Sequence, residues 1–443
     1  MLKTFPKGGV HPAENKLSAG KGIKEMPLPN EVIVPVSQHI GAPAQPVVKR
    51  GDTVKTGSLL ARAGGFVSSN THSPVSGKVK KIDNMMDAAG FKKACIIIVR
   101  NGDEWEEGID TSTDLIKDIS ATPEEIRNKI AEAGIVGLGG ATFPTHVKLS
   151  IPDGKSIDHI IINGAECEPY LTSDHRLMLE KAHQILVGTQ LLMKATGVSK
   201  AIIGIENNKR DAIEILTNIA KEYDGIHIQP LKVRYPQGGE KQLIKALLNR
   251  EVPSGGLPLD IGCVVQNVGT NVAVYEAVQK NKPLIERVVC VTGKSVKEPC
   301  NLMARIGTPF SELIEVAGGL PDDTGKVVSG GPMMGKAVPS TNVPVTKGTS
   351  GITIFNKQES KRDVATNCIR CARCVSACPA GLEPYNLKNI SENEDWERLE
   401  QEHVMDCIEC GSCSYTCPAN VPILDYIRLG KANVSQIIRS RKK

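Results

Sequence analysis

Cys368-Ile369-Arg370-Cys371-Ala372-Arg373-Cys374-Val375-Ser376-Ala377-Cys378-Pro379 and Cys407-Ile408-Glu409-Cys410-Gly411-Ser412-Cys413-Ser414-Tyr415-Thr416-Cys417-Pro418 are two copies of one pattern, C-x2-C-x2-C-x3-C-P. Three thiolates at that spacing wrap a tight loop around three irons of a cubane, and the fourth, leaving through the proline, reaches the neighbouring cluster. The expected ligand sets therefore cross. Cys368, Cys371, Cys374 and Cys417 hold one [4Fe-4S] cluster; Cys407, Cys410, Cys413 and Cys378 hold the other. The competing reading is a pair of structural zinc sites, since zinc also takes four thiolates. Zinc motifs place two C-x2-C pairs on separate knuckles, so three close cysteines with a proline-flanked fourth suit a cubane better. A disulfide framework fits least, because no secretory signal is read at the N-terminus and thiols stay reduced in the cytosol.

Working outward, 443 residues exceed what one core organises, and at about 150 residues per domain three or four units are expected. Lysine and arginine total 54 against 49 acids, a formal charge of +5. That mild excess does not call for nucleic acid. The one dense basic cluster, Arg439, Arg441, Lys442 and Lys443, reads as a solvated terminus with a weak attraction to an anionic membrane surface. No apolar run approaches the ~18 residues of a membrane helix. The remaining cysteines, Cys95, Cys167, Cys263, Cys290 and Cys300, read as inert thiols.

Residues 1–110 are rich in glycine and proline with short alternating stretches such as Val32-Ile33-Val34-Pro35-Val36, which predicts an all-β unit. The runs from Val47 to Gly57 and from His72 to Val79 resemble the halves of a biotinyl/lipoyl-type barrel-sandwich. Such domains carry a cofactor on a lysine at a hairpin tip. There is no lysine between Leu60 and His72, so the resemblance speaks for a scaffold and against a swinging arm.

From 111 to 282 strand-like runs (Ile160 to Ile162, Ala201 to Ile205, Val264 to Val265) alternate with amphipathic ones (Leu177 to Ala195, Lys209 to Tyr223, Glu240 to Asn249). This predicts a Rossmann-like α/β unit with a mostly parallel sheet, entered through a capped helix at Thr122-Pro123-Glu124-Glu125. Residues 283–350 return to short strands around a small helix after Thr308, as in a β-grasp (SLBB-type) module. Residues 351–443 form a helical, ferredoxin-like end that carries both cysteine motifs.

A second constellation sits in the α/β unit. The loop Gly134-Ile135-Val136-Gly137-Leu138-Gly139-Gly140-Ala141-Thr142-Phe143-Pro144-Thr145-His146-Val147-Lys148 lets backbone N–H groups approach a phosphate, with Lys148 adding charge. Glycines also make ordinary turns, and the order differs from a strand-G-x-G-x-x-G-helix site. Three further polar runs accompany it: Asn163 to Tyr170, Tyr235 to Glu240 and Val265 to Thr270. Amides and glycine turns suit an isoalloxazine edge and a ribityl chain, although each run can also be a capped helix or a satisfied turn.

On these residues the chain resembles the RnfC family of Rnf electron-transport complexes, and its middle part is similar to the flavin-binding subunit of respiratory complex I. The opening Gly8-Gly9-Val10-His11-Pro12, the run Gln38-His39-Ile40-Gly41-Ala42-Pro43, the glycine loop, the Asn-x-x-Glu-x-Glu-Pro run, the β-grasp module and both cysteine motifs fall in that family's order. The resemblance implies FMN held by Gly137, Gly139, Gly140, Lys148, Asn163, Gly239, Glu240, Asn267 and Thr270. It implies NAD(H) as substrate over the flavin near Phe143, Glu166 and Glu168. Ala165 and Gly239 depart from the complex I pattern, where acids stand, and no aromatic for the adenine is found near Ser254 to Pro258.

Hydride transfer moves two electrons and a cubane takes one, so a flavin beside two clusters is a coherent device. No protein nucleophile is required; His146 and His175 read as structural. The resemblance implies a peripheral subunit on the cytoplasmic side of the cell membrane. Other membrane and cluster-bearing subunits would be its partners, ferredoxin would be met indirectly, and Na+ or H+ would be pumped elsewhere in the complex. Two alternatives share the layout: a soluble flavin and iron–sulfur cobalamin reductase, and a non-catalytic electron wire that has lost its flavin.

Overall fold

The computed structural model describes residues 2–441, so Lys442 and Lys443 of the basic tail lie outside the described residues. The opening segment packs against the α/β unit. Lys3 and Val10 make isolated bridges to Leu231 and Tyr235 of the α/β unit. Strand β1 (Ile23–Glu25) then pairs in parallel with the strand at Cys300–Arg305.

The sandwich begins after it. Strands β2 (Glu31–Pro35), β3 (Gln45–Pro46), β4 (Thr53–Val54), β5 (Leu59–Arg62), β6 (Thr71–His72), β7 (Gly77–Met86) and β8 (Lys92–Arg100) form two sheets, β2-β8-β7-β4 and β3-β5-β6. Alternation in β2 sends Val32 and Val34 into one core with Leu60, Val79, Ile96 and Ile98, the period-2 burial of a sheet with one dry face.

The α/β unit runs α1 (Pro123–Glu132), α2 (Thr145–Leu149), β9 (His159–Gly164), α3 (Ser173–Glu180), α4 (Ala182–Thr196), β10 (Ala201–Glu206), α5 (Arg210–Ile219), β11 (Ile226–Leu231), α6 (Glu240–Leu248), β12 (Cys263–Asn267) and α7 (Val268–Lys280). The expected cap closes α1 as a box: Thr122 Oγ1 accepts from Glu125 N, and Glu125 Oε2 accepts from Thr122 N. The sheet, β11-β10-β9-β12, is parallel throughout. Ile160 and Ile162 face the core under α4 and α7, and Ile161 faces Leu243 and Leu247 of α6. Burial on both faces explains why these strands read as continuous apolar runs. The single helix expected over Leu177 to Ala195 is broken at Lys181 (φ −126°). Its two parts have different partners: α3 packs on α5, and α4 lies along α7.

The third unit holds β13 (Glu286–Thr292), β14 (Cys300–Arg305), α8 (Phe310–Val316), β15 (Thr324–Ser329), β16 (Lys336–Ala337) and β17 (Gly351–Asn356), with strand order β1-β14-β13-β17-β15-β16. Because β17 is a central strand here, this unit extends past the boundary expected at 350. Phe310, Leu313 and Ile314 of α8 pack on Val289, Val291 and Ile352.

The last unit is helical: α9 (Lys357–Ser360), α10 (Arg373–Ala377), α11 (Pro384–Glu392), α12 (Trp396–Gln401), α13 (Ser412–Tyr415) and α14 (Ile423–Arg441), around Leu387, Leu399, Val404 and Ile427. Helix α14 outruns the expected end at Lys431 because Val434 is buried in the same core and Ile438 packs against it. Among the described residues no helix is long and apolar enough to cross a membrane. Lys347 locks three units together. Its buried Nζ donates to Asn70 O of the sandwich and Gly134 O of the glycine loop, both at 2.7 Å.

Candidate cofactor sites

Both cysteine motifs share one backbone trace. Arg370 and Ala372 in the first copy, and Glu409 and Gly411 in the second, all have φ between 54° and 79°. Left-handed residues at the same two places curl each loop inward, so the thiols of one motif converge. Cys378, Cys407, Cys410 and Cys413 line a single cleft together with Leu387, Leu424 and Ile427. Burial pushes the thiols of Cys407 and Cys413 up to about 11 and about 12, and both feel Cys378 of the other motif. In the same way Cys374 is raised by burial and then by Cys417. Cys378 thus sits with the second motif, and Cys417 beside the first. Among the described residues no three His, Cys, Asp or Glu side chains close on a point as around one metal ion. Four soft thiols facing one largely apolar space fit an iron–sulfur cubane. Cys368 and Cys371 are exposed, so the other cluster site stands at the surface.

The glycine loop connects α1 to α2 and arches over the carboxyl ends of β9 and β12, where open parallel sheets bind ligands. Gly139 packs on the Asn267 side chain, where an added Cβ would lie 3.5 Å from the Asn267 Cβ. Gly140, at φ +106°, has open space on the side where a Cβ would point. Lys148 Nζ lies at the rim, donating to Val265 O at 3.0 Å and pairing with Glu240 at 3.2 Å. Asn163 Nδ2 donates to Gly238 O at 2.8 Å, joining the Asn163 and Tyr235 runs. Buried polar atoms of Thr145, Gln237, Gln242 and Gln266 in these runs make no hydrogen bond to the protein. A glycine cradle, a rim lysine and unspent polar groups at strand carboxyl ends fit a phosphorylated flavin.

Several expected contact residues do structural work. Asn267 caps α7 through Gly269 N and donates to Asp174 at 2.6 Å. Thr270 Oγ1 accepts from Leu138 N at 2.9 Å, pinning the glycine loop. Glu166, itself left-handed at φ +44°, accepts from Asp174 N and His175 N and so caps α3. Glu168 accepts from Met333 N at 2.6 Å, tying the α/β unit to the β-grasp module, and burial raises its pKa. Gly239 precedes α6 and Phe143 lies half-buried in the glycine loop. His175 pairs with Asp211 at 2.8 Å.

The flavin-side loops and the second cluster loop touch. Tyr235 Oη donates to Cys410 O at 2.8 Å, while the opening segment meets the first motif, Gly9 N donating to Ala377 O at 2.9 Å. Val10, Tyr235, Ala377 and Cys410 form one buried cluster with Cys167 packed against it.

Four known protein families match successive stretches of the chain. The RnfC barrel sandwich hybrid domain matches residues 3–103, the Nuo51 FMN-binding domain 130–276, the SLBB domain 288–337 and the 4Fe-4S dicluster domain 360–418. The C component of the proton-translocating ferredoxin:NAD(+) oxidoreductase complex of Clostridium ljungdahlii is 48% identical over 98% of this chain and 94% of its own length. Its Na(+)-translocating counterpart in Acetobacterium woodii is 45% identical over 99% and 98%. The chain belongs to the RnfC family. FMN and two [4Fe-4S] clusters are its cofactors, as the resemblance implied. The air-oxidised NAD+-reducing [NiFe]-hydrogenase shares the fold at a TM-score of 0.51 and 19% identity, over 71% of this chain and 66% of that one.

In this RnfC-family chain, buried charges beneath the glycine loop escape a reading by motif. Arg287 of β13 is buried, with Nη2 3.4 Å from Leu138 O. Burial lowers its pKa to about 10, and Asp174 opposes that shift. Asp174 is raised to about 7 by burial and then by the charge of Glu166. The only signal for them in the sequence is a charge inside an apolar run, as at Arg287 before Val288-Val289.

Proposed function

We propose that this chain is the NAD(H)-reacting subunit of a membrane ferredoxin:NAD+ oxidoreductase complex, relaying electrons between NAD(H) and its partner subunits. The observation that carries the reading is the junction at Tyr235. One loop of the flavin cradle is hydrogen-bonded to the backbone of a cysteine that lines a cluster cleft. FMN, when bound, exchanges hydride with NAD(H) on one side and single electrons with the clusters on the other.

The residues supply placement. Gly139 and Gly140 would offer backbone N–H groups to the flavin phosphate, Gly137 N closes the loop on Phe143 O at 2.9 Å, and Lys148 would add the positive charge. Asn163 and the turn at Gly238-Gly239, joined by a hydrogen bond, would line the ring and ribityl edge, and Glu240 orients Lys148. Asn267 and Thr270 hold the loop in register, while Glu166, fixed by the start of α3, and Glu168, fixed by Met333 N, would flank the nicotinamide. Val10, Tyr235, Ala377 and Cys410 pack as one buried cluster along the route to Cys410. The site of Cys378, Cys407, Cys410 and Cys413 is then proximal to the flavin. The exposed site of Cys368, Cys371, Cys374 and Cys417 is the distal one, toward partner subunits.

No described helix spans a membrane, so the chain is read as peripheral on the cytoplasmic face, and ion movement is assigned to its membrane partners. Two relatives of nearly equal identity are named for different ions, which fits a choice of ion made outside this subunit. Purified, reconstituted protein should contain one FMN and about eight irons, from two four-iron clusters, and should oxidise NADH with ferricyanide. Iron without flavin would sink the reading and leave an electron wire. Co-purification with membrane subunits separates the complex from a soluble reductase of the same layout.

A further inference from the structure

We propose that Phe66, at a hairpin tip of the N-terminal sandwich, is the wall against which the adenine ring of NAD(H) packs. The inference rests on the flavin reading above and adds to it a specificity residue from a different domain.

The tip is residues 63–70, between β5 and β6, the place where a biotinyl/lipoyl-type domain would carry its lysine. This chain presents an aromatic there instead. The chain has six phenylalanines. Phe5 and Phe310 are fully buried, whereas Phe66 leaves 64% of its surface in solvent. A single exposed apolar side chain is ordinary in itself. What sets Phe66 apart is how much of the structure is devoted to holding it still.

The tip is braided with the run Gln38 to Pro43, to which neither the clusters nor the flavin gives a role. Ala42 N donates to Val67 O at 2.8 Å, Ser68 Oγ donates to Ala42 O at 2.8 Å, and Gly64 N donates to Ser68 Oγ at 2.9 Å. Gly41, at φ +115°, has the Val67 carbonyl where a Cβ would sit, 2.0 Å away, so the two segments can approach this closely only through glycine.

The braid is fastened to the flavin cradle at two points. Ile40 N donates to Thr142 O at 3.3 Å, and His146 Nε2 lies 3.0 Å from Phe66 O. The Phe66 and His146 rings meet edge to face at 6.0 Å and 86°. Burial lowers the His146 pKa, so the ring stays neutral with its proton on Nε2, facing the Phe66 carbonyl. Thr142 and His146 bracket Phe143. The tip therefore stands against the glycine loop with most of the Phe66 ring in solvent, beside Ile40, which is 52% exposed.

A flat, rigid apolar face at the mouth of a nucleotide site suits a flat aromatic ligand. The nicotinamide must lie inward, against the flavin at the strand ends. The part of the dinucleotide that reaches the rim is its other base. No aromatic occurs from Ser254 to Pro258 to serve it.

The test uses the full chain loaded with FMN and clusters, with NADH and reduced nicotinamide mononucleotide as alternative donors to ferricyanide. The second donor carries the same reacting ring and lacks adenine. Phe66→Ala should raise KM for NADH on the order of tenfold, the scale of one lost ring contact. Its kcat, its flavin content and its KM for the mononucleotide should stay those of the parent, and Phe66→Tyr should restore the NADH value. An unchanged KM for NADH, an equal loss with both donors, or a loss of flavin in Phe66→Ala would each overturn the assignment. A parent protein that holds no flavin or oxidises neither donor overturns the flavin reading itself, a distinct result read before any variant is made.

Discussion

The phenol of Tyr235 donates to the backbone carbonyl of Cys410 across 2.8 Å. Tyr235 is 2% exposed, and burial holds its pKa far above the usual tyrosine range, so it remains a neutral donor. Hydrogen bonds around cluster ligands set reduction potentials. Tyr235→Phe strips the carbonyl of its partner at a cost of about 1–3 kcal/mol. In a potentiometric titration followed by electron paramagnetic resonance, one cluster should shift and the other should keep its midpoint, with flavin content unchanged. Equal shifts in both clusters would remove Tyr235 from the route.

The crossing of the ligand sets gives a second expectation. Cys378 lies in the first motif but lines the cleft of the second. Cys378→Ser should therefore change the resonance of the cluster held by Cys407, Cys410 and Cys413. Cys374→Ser should change the other. Identical spectral losses in the two variants would mean that each motif holds its own cluster.

The cluster ends of the chain are legible because ligand spacing is local: the left-handed residues that shape each loop lie inside the motif itself. The α1 cap and strands β9, β10 and β12 are legible for the same reason, being written in contiguous residues. Strand β11 is not, since His227, Gln229 and Pro230 interrupt its apolar pattern at the edge of the sheet. Nothing near Ile23 signals a parallel partner at Asn301, far along the chain. Asn267 and Glu166 are legible as polar residues at strand ends. That they serve neighbouring loops depends on helix termini brought together only by folding.

Lys148 tests the phosphate end of the flavin cradle. Its Nζ is tethered by Val265 O and Glu240, so the charge is preplaced. A hydrogen bond to a charged group contributes about 1.5–3 kcal/mol, and Lys148→Met should weaken FMN binding roughly ten- to hundredfold. Equilibrium dialysis followed by flavin fluorescence reads this, and iron content should not change. Unaltered affinity would place the phosphate elsewhere.

Lys347 carries the pH dependence with the clearest sign. Burial pushes its pKa down from 10.5 to about 7. Between those values the unfolded chain binds a proton that the folded chain has released, so this group makes stability rise with pH from about 7 upward, by at most about 1.4 kcal/mol per pH unit. Below pH 7 both states are protonated and the contribution is flat. Lys347→Met removes the titration and also leaves the carbonyls of Asn70 and Gly134 without their donor. The gap in urea midpoint between parent and variant should therefore widen from pH 7 to pH 9.5, since only the parent gains over that window. Parallel profiles would show that Lys347 keeps an ordinary pKa in the folded protein, and that the three units it joins are locked without a titrating bolt.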